Sequence, residues 1–288
     1  MDRPPQRPRL QSRAVAIALA IAVAGLAASA TPSVAGHHLF HATPDSLIRE
    51  LSADRPDVTE SPYTLDAGHA QVEMDLVRYV RDRDRGDLAE SWSAPALNVK
   101  LGLDRATDLQ ILLECYRHDR FAAAGPAAAR FDDRGFGDFG FRLKRNLRGN
   151  DAGRAAFAVM PFVLFPRDGD GRGFEAGVVL PFAYELGGGW GLGLMGEVDF
   201  VEDADGDGRH AEWLATATTG HAIAGPLAAF VEFAVSTRPA AEGRTVGTAD
   251  AGLTFAVSPD LQLDAGVYLG TTDAADDRTF FLGLTARR

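Results

Sequence analysis

The stretch LQILLECYRH at residues 109–118 places an apolar residue at every second position, and so do VEMDLVRYV (72–80), FGFRL (139–143), LAAFVEFAV (227–235) and LQLDAGVYL (261–269). A period of two is typical of a β-strand whose two faces meet different surroundings. A helical period is almost absent between residue 68 and residue 288. Many such strands in succession, separated by turn residues, predict a sandwich or a closed barrel.

The connections between these strands decide between the two architectures. Twelve strands are predicted, at 68–80, 90–102, 107–118, 134–147, 153–164, 174–186, 190–201, 209–222, 225–237, 245–257, 260–271 and 278–287. Long connections such as 81–89 and 119–133 alternate with short ones such as 103–106 and 187–189. This alternation is typical of a membrane-spanning barrel, which has short turns at one end, longer loops at the other and an even number of strands. The sequence therefore predicts an all-β protein, a transmembrane antiparallel up-and-down β-barrel over residues 68–288.

The first 35 residues have the pattern of a secretory signal peptide. Four arginines between residues 3 and 13 precede an apolar run at 14–28, and the small-residue sequences Ala28-Ser29-Ala30 and Ser33-Val34-Ala35 follow. We expect cleavage after Ala30 or Ala35. A transmembrane anchor is the alternative, but the apolar run is short for a membrane helix, which needs about 20 residues. We therefore expect an exported protein that resides as a barrel in the outer membrane of a Gram-negative bacterium.

Composition argues against several other classes of protein. The formal net charge of −11 is not typical of proteins that bind nucleic acid. The single cysteine, Cys115, excludes an internal disulfide framework. The histidines His118 and His221 lie on predicted strands, but no Gly-x-Ser-x-Gly element accompanies them. We therefore expect neither an enzyme nor a bound cofactor.

Polar residues in the predicted strands fall mostly on the parity opposite to the apolar residues, and a membrane barrel keeps such residues in its lumen. The inward set is Glu73, Asp75, Asn98, Lys100, Gln110, Glu114, Asp138, Arg142, Lys144, Glu175, Glu197, Asp199, Glu232, Asp250, Gln262 and Asp264. Ten of these residues are acidic and three are basic, so an open lumen would disfavour anions. The alternative is a closed interior of salt bridges and water. Arg78 is an exception, because it lies on the apolar parity near a strand end.

Two groups of residues resemble weak metal sites. Asp203, Asp205 and Asp207 match the first half of a calcium-binding EF-hand loop, but Leu214 stands where the bidentate Glu is required. A hydrated outside loop is the simpler interpretation. A cluster of His37, His38 and His41 could bind a metal ion or belong to a disordered end.

Residues 36–67 form an N-terminal extension ahead of the first strand. Its segment Asp54-Arg55-Pro56-Asp57-Val58-Thr59-Glu60-Ser61-Pro62 contains two prolines and several charges, which argue against helix and central strand. Two interpretations stay open: a solvated lead-in to the barrel, and a partial plug folded into the barrel mouth.

The same segment carries a family resemblance. The runs DRPD (54–57) and TESP (59–62), followed by Gly68-His69 and QVE (71–73), resemble the outer-membrane barrels of the MetA-pathway phenol-degradation family. Weaker matches are GFGD (135–138), LPF (180–182) and GWGLG (189–193). The resemblance implies an outer-membrane transporter that helps take up aromatic or other small hydrophobic compounds, and it implies no catalytic residues.

The expected function is passive passage of small molecules through the barrel, with outer-membrane lipid and small solutes as partners. The acidic lumen residues and the segment from Asp54 to Pro62 are the candidates for selectivity and gating. The alternative is a structural or surface-interaction barrel whose lumen is blocked.

Overall fold

The computed structural model describes residues 36–125, 129–167, 173–203, 208–238 and 244–288. The predicted signal peptide lies outside these residues. The described chain contains a short 3₁₀ helix, Asp45–Leu47, and fifteen strands: β1 Ala70–Asp84, β2 Asp87–Ser93, β3 Ala96–Asp104, β4 Thr107–Glu114, β5 Arg117–Ala122, β6 Arg130–Gly135, β7 Phe139–Arg148, β8 Ala155–Phe165, β9 Glu175–Gly187, β10 Trp190–Glu202, β11 Arg209–Ala224, β12 Leu227–Arg238, β13 Arg244–Ser258, β14 Leu261–Gly270 and β15 Arg278–Arg287. No helix in the described ranges is long and apolar enough to cross a membrane.

The strands form one antiparallel sheet that closes on itself where β15 pairs with β1. Three positions in the wall are each occupied by two strands, β2 with β3, β4 with β5, and β6 with β7, because short interruptions divide them. The predicted strands 90–102, 107–118 and 134–147 are therefore interrupted at 94–95, 115–116 and 136–138. The wall has twelve strand positions, which confirms the predicted up-and-down barrel.

Side chains are distributed in the reverse of a water-soluble protein. Large apolar side chains such as Phe141, Val231 and Phe233 are 41%, 52% and 68% exposed on the outer surface. Charged side chains such as Lys144 and Glu232 are buried inside. A continuous apolar outer face of this kind would be a liability in water but matches lipid, so the barrel spans a membrane.

Two of the predicted long loops are wrong. Residues 81–89 belong mostly to β1 and β2, which pair up to a two-residue turn at Arg85-Gly86 with φ angles of 51° and 100°. Within 119–133, β5 and β6 pair with each other. Alternating charges are compatible with a strand that has water on both faces, so charge alone did not distinguish a loop from a hairpin. The upper part of β1 together with β2, β5 and β6 forms an extension beyond the barrel at its long-loop end.

Local irregularities reverse two predicted side-chain directions. A bulge between Asp75 and Val77 in β1 places Arg78 opposite the buried Phe281, so Arg78 faces the lumen rather than the lipid. Its guanidinium carbon lies 5.2 Å from the ring centroid of Tyr268. The interruption before β5 places His118 opposite Trp92, on the outer face, whereas unbroken alternation from Glu114 would place it on the inner face. One inserted residue moves all later side chains of a strand to the other face.

Candidate functional site

The N-terminal segment from residue 51 to residue 66, called here the lumen segment, contacts the inner wall around most of its circumference. Its hydrogen bonds and ion pairs reach β1, β3, β4, β7, β10, β11, β12 and β14. Asp54, Pro56, Thr59 and Pro62 are buried. A solvated lead-in does not describe these residues, because the wall surrounds them and supplies their partners. The segment also needs room, since a Cβ atom at Gly102 would lie 1.9 Å from the carbonyl oxygen of Asp66.

Asp54 is at the centre of the most buried group of charges. Its two carboxylate oxygens lie 2.5 Å from the Nζ atoms of Lys100 and Lys144. Its backbone N–H donates to the carboxylate of Glu73, at 3.1 Å from each oxygen, and Glu73 also pairs with Lys100. Burial alone would raise the pKa of Asp54, but the two ammonium groups outweigh it and hold that pKa well below its usual range. Asp54 and Glu73 thus pair with two ammonium groups in a buried site.

Arg55 makes the second attachment, on the adjacent part of the wall formed by β1 and β14. Its guanidinium binds Asp264 through two atoms, at 2.9 and 2.7 Å, and reaches Asp75 at 2.8 Å. Burial opposes the charge, yet the two carboxylates raise the pKa of Arg55. The neighbouring Pro56 accepts a hydrogen bond from the hydroxyl of Tyr268 at 2.6 Å. A bidentate arginine–carboxylate pair fixes orientation as well as charge.

Glu232 on β12 makes the third attachment. One of its oxygens accepts the backbone N–H of Val58 at 2.7 Å, and the other accepts the N–H of Thr59 at 2.9 Å and its hydroxyl at 2.5 Å. The hydroxyl of Thr59 also lies 2.6 Å from that of Thr216 on β11. Glu232 is buried, and two backbone N–H groups of the lumen segment bind its carboxylate as the N–H groups of a turn bind an anion.

Two acidic residues of the lumen segment are less well matched. Burial and the charge of Glu232 raise the pKa of Asp57 to about 7. Burial raises the pKa of Glu60 to about 7, although Arg142 forms an ion pair with it and acts in the opposite direction. One oxygen of Glu60 has no hydrogen-bond partner within the described ranges. These two carboxyl groups therefore change charge near neutral pH.

An apolar cluster inside the lumen lies beside these charges. Met160, Val179 and Met195 are buried together, with Phe162, Leu214 and Val58 of the lumen segment packed against them. The sequence did not predict this cluster, because the predicted strand over 153–164 is apolar on both faces and gives no parity. The deciding signal would have been the register with the strand at 174–186.

The lumen segment lies between two cavities. A cavity of about 510 Å³ towards the long-loop end is lined by Asp54–Val58 and Glu60 of the segment and by wall residues that include Glu114, Asp138, Arg142 and Glu197. A cavity of about 410 Å³ towards the short-turn end is lined by residues 49–52 and 63–66. We call them the upper and the lower cavity. Eight acidic and three basic residues line the upper cavity, namely Asp54, Asp57, Glu60, Glu73, Asp75, Glu114, Asp138 and Glu197 with Arg55, Arg78 and Arg142.

The predicted inward residues divide between these surroundings. Direct contacts with the lumen segment are made by Glu73, Asp75, Lys100, Arg142, Lys144, Glu232 and Asp264. Glu114, Asp138 and Glu197 line the upper cavity. Asp199 stands opposite Glu212 on the next strand, and its Oδ1 atom has no hydrogen-bond partner in the described chain. Ser61 binds within the segment, to Ser52 and Asp54.

The weak metal and catalytic candidates form no metal or catalytic site within the described residues. The described residues contain no group of three or more His, Cys, Asp or Glu side chains that could hold a metal ion. Asp205 and Asp207 lie outside the described residues, while Asp203 pairs with His210. At the start of the described chain, the ring of His41 stacks on that of His37 and lies tilted beside that of His38. His118 bonds Asp132 on the outer face of the extension, whereas His221 bonds the carbonyl of Gly188 at a short turn.

Comparison with known proteins gives a family. The sequence model of the family described as "Putative MetA-pathway of phenol degradation" matches residues 53–287, which include the lumen segment from one residue before Asp54. The chain belongs to this family. In this phenol-degradation family member, the match therefore spans both the wall and the residues bound inside it. Comparison with curated proteins finds no match.

Several solved structures of outer-membrane proteins are similar to this family member in fold, at low sequence identity. The NanC porin is 9% identical over 75% of this chain and 98% of its own, with a TM-score of 0.48. A loop-deleted OmpT from Vibrio cholerae is 9% identical over 76% and 98%, with a TM-score of 0.41. The anion-selective porin from Comamonas acidovorans is 10% identical over 76% and 98%, with a TM-score of 0.39.

Proposed function

We propose that this protein is a gated outer-membrane channel for the passive uptake of small molecules, and that the lumen segment is its gate. The observation that carries the proposal is the way in which the motif at residues 54–62 is held. It binds the wall through ion pairs and hydrogen bonds that it can exchange for water, rather than through a large apolar contact. An apolar contact of the same extent would favour the bound state, because released apolar groups gain no partner in water.

The two cavities support a channel, because a solute that enters from either end meets the same segment. The upper cavity combines carboxylates with Leu112, Leu164, Met195 and Tyr268. An apolar cavity of roughly 150 Å³ is enough for benzene, so a single aromatic ring fits within the 510 Å³ of the upper cavity. Aromatic or other small hydrophobic compounds are therefore the proposed solutes, with cations favoured among charged ones.

A reversible cross-link tests the gate. The hydroxyl oxygens of Thr59 and Thr216 lie 2.6 Å apart, so cysteines at both positions bring two sulfur atoms within bonding reach. The variant T59C/T216C, made in a C115A background, is placed in liposomes, and the flux of phenol and of a small cation is measured before and after reduction. We expect flux only after reduction. The single variants T59C and T216C are the matched controls and should conduct in both states.

The competing function is a structural or surface-interaction barrel with a permanently blocked lumen. It is favoured by the number of wall strands that the lumen segment contacts. It predicts no flux from the reduced cross-link variant, from the single-cysteine controls or from the wild type. Equal flux before and after reduction, with the disulfide shown to be complete, would instead mean an open channel that the segment does not gate.

A further inference from the structure

The outer surface of the barrel carries an arginine patch that the lumen and its segment do not use. We define the outer arginine patch as Arg81, Arg83, Arg120, Arg130, Arg134 and Arg278. Cross-strand pairing places these residues on one face, since Arg81 stands opposite Arg278 on β15 and opposite Glu90 on β2. Glu90 stands opposite Arg120 on β5, which in turn stands opposite Asp132 on β6. The face thus runs continuously across β15, β1, β2, β5 and β6.

The direction of this face follows from the residues just below it. Two positions before Arg81, Tyr79 stands opposite Phe280 and Trp92. Phe280 is 46% exposed in the apolar outer band, and the rings of Tyr79 and Trp92 lie 4.2 Å apart. Tyr and Trp side chains collect where the hydrocarbon of a membrane meets the head groups. Two residues along a strand span about 7 Å, so the patch begins one step above this aromatic level.

The charge of the patch is not balanced by acids within the described part of the chain. Six arginines and His118 share the face with two acids, Glu90 and Asp132. Asp132 is divided between Arg120, Arg134 and His118, and Glu90 accepts from Tyr79. The Nε atom of Arg81 is buried and has no hydrogen-bond partner in the described part of the chain. A local excess of arginine is unexpected in a chain whose net charge is −11.

We infer that the outer arginine patch binds the phosphate groups of anionic lipid in the membrane leaflet at the long-loop end of the barrel. Its height matches head groups rather than hydrocarbon, and guanidinium groups bind phosphate in a bidentate manner. Arginines near a membrane surface each strengthen attraction to anionic lipid. The paired arginines Arg81 and Arg278 would otherwise repel each other across two strands, and a phosphate between them removes that repulsion. This lipid site is independent of whether the lumen conducts.

Lipid binding by the full mature protein tests the inference. The triple variant R81Q/R83Q/R278Q is compared with R105Q/R148Q/R288Q, which removes three exposed arginines from the short-turn end. Binding is measured by native mass spectrometry in detergent with phosphorylated lipid A, and by co-flotation with phosphatidylcholine vesicles that do or do not contain it. We expect the first variant to bind lipid A on the order of 100-fold more weakly, from roughly 5-fold per arginine, and the second to bind as the wild type does.

Lipid A with and without its phosphates separates binding to phosphate from binding to the rest of the lipid. The wild type should bind dephosphorylated lipid A as weakly as the first variant binds the phosphorylated form. Heat-modifiable migration in gels shows that each variant is folded. Three results would each overturn the inference. They are an equal loss of lipid binding in both triple variants, equal binding of phosphorylated and dephosphorylated lipid A by the wild type, and competition by inorganic phosphate at the same concentration as the lipid.

Discussion

The Nζ atom of Lys144 lies 2.5 Å from the carboxylate of Asp54, although 90 residues separate the two in the chain. Lys144 is fully buried in the wall, and Asp54 belongs to the segment bound inside it. Lys100 on β3 binds the other carboxylate oxygen of Asp54. A buried charge without a partner costs several kcal/mol, so each charge in this group is stable in its position only while the others are present. The wall strands carry ammonium groups inside the barrel because the lumen segment brings them a carboxylate.

Replacing Asp54 by asparagine should release the lumen segment. The variant leaves Lys144 without its carboxylate partner and Lys100 with Glu73 alone, and breaking a buried pair in this way costs about 3–5 kcal/mol. The measurement is the rate at which a maleimide labels a cysteine placed at Ser61, in a C115A background. D45N is the matched control, because Asp45 is exposed in the 3₁₀ helix. Equal labelling rates in D54N and D45N would contradict the expected role of the pair.

A substitution in the wall should act on the segment through Arg55. A Cβ atom at Gly283 would lie 2.0 Å from a guanidinium nitrogen of Arg55, which pairs with Asp75 and Asp264. We expect G283A to displace this side chain and to raise the labelling rate at Ser61, as R55Q does.

A double-mutant cycle identifies the route of that effect. The same Cβ atom would also lie 2.6 Å from the carbonyl oxygen of Met74, so strain in the wall is the competing cause. If G283A acts through Arg55, the double variant R55Q/G283A should be no looser than R55Q alone. Additive effects of the two changes would instead point to the wall.

The face towards lipid gives a prediction about the barrel itself. Phe233 on β12 is 68% exposed on the outer surface. An arginine on the lipid face near the middle of a membrane costs about 2–4 kcal/mol, so F233R should lower the free energy of unfolding in vesicles by about that amount. F233L is the control and should change it little. An ordinary surface substitution changes the free energy of unfolding by less than about 1 kcal/mol, so a loss of that size in F233R would place Phe233 in water.

Alternation predicted the wall because it is a local property. Lys100, Arg142, Lys144 and Glu232 face inward as expected, since each lies in a regular stretch of its strand. Arg78 does not follow the pattern, because one extra residue in a bulge reverses the direction of every later side chain. Sequence spacing does not show where such a residue is accommodated.

The contacts of the lumen segment could not be predicted from the sequence, for another reason. The charges at Asp54 and Arg55 are compatible with a solvated loop and with buried ion pairs. The difference lies in partners 90 and 209 residues away, Lys144 and Asp264. No local pattern encodes which carboxylate meets which cation when both signs alternate around a closed wall.

The acids of the upper cavity should set the preference for charge. Glu114 and Glu197 line this cavity and do not bind the lumen segment in the contacts described above. In a conducting preparation, E114Q/E197Q should shift the reversal potential in a salt gradient towards that of a non-selective channel, since the lumen loses two negative charges. The control D45N/D84N removes two charges that do not line the upper cavity. An unchanged reversal potential in E114Q/E197Q would exclude these acids from selectivity.

Acidification should tighten the gate, because of Asp57 and Glu60. Asp57 faces Glu232 and the hydroxyl of Thr218, and Glu60 faces Arg142 and, at longer range, Asp54 with its two lysines. Both carboxyl groups have a pKa of about 7 when the segment is bound and ordinary values of 3.8 and 4.5 otherwise. The bound state therefore holds more protons between these limits.

The sign follows from that difference. The contribution to binding is fully present below the ordinary values and is lost as the pH rises through about 7. Asp54 has the opposite shift, but its contribution is lost only below 3.8, so it stays constant above that pH. We expect labelling of the cysteine at Ser61, relative to that of a free thiol at the same pH, to accelerate between about pH 5 and pH 8, and this relative acceleration to disappear in D57N/E60Q. Acceleration that persists in D57N/E60Q would assign the pH dependence to the wall rather than to the segment.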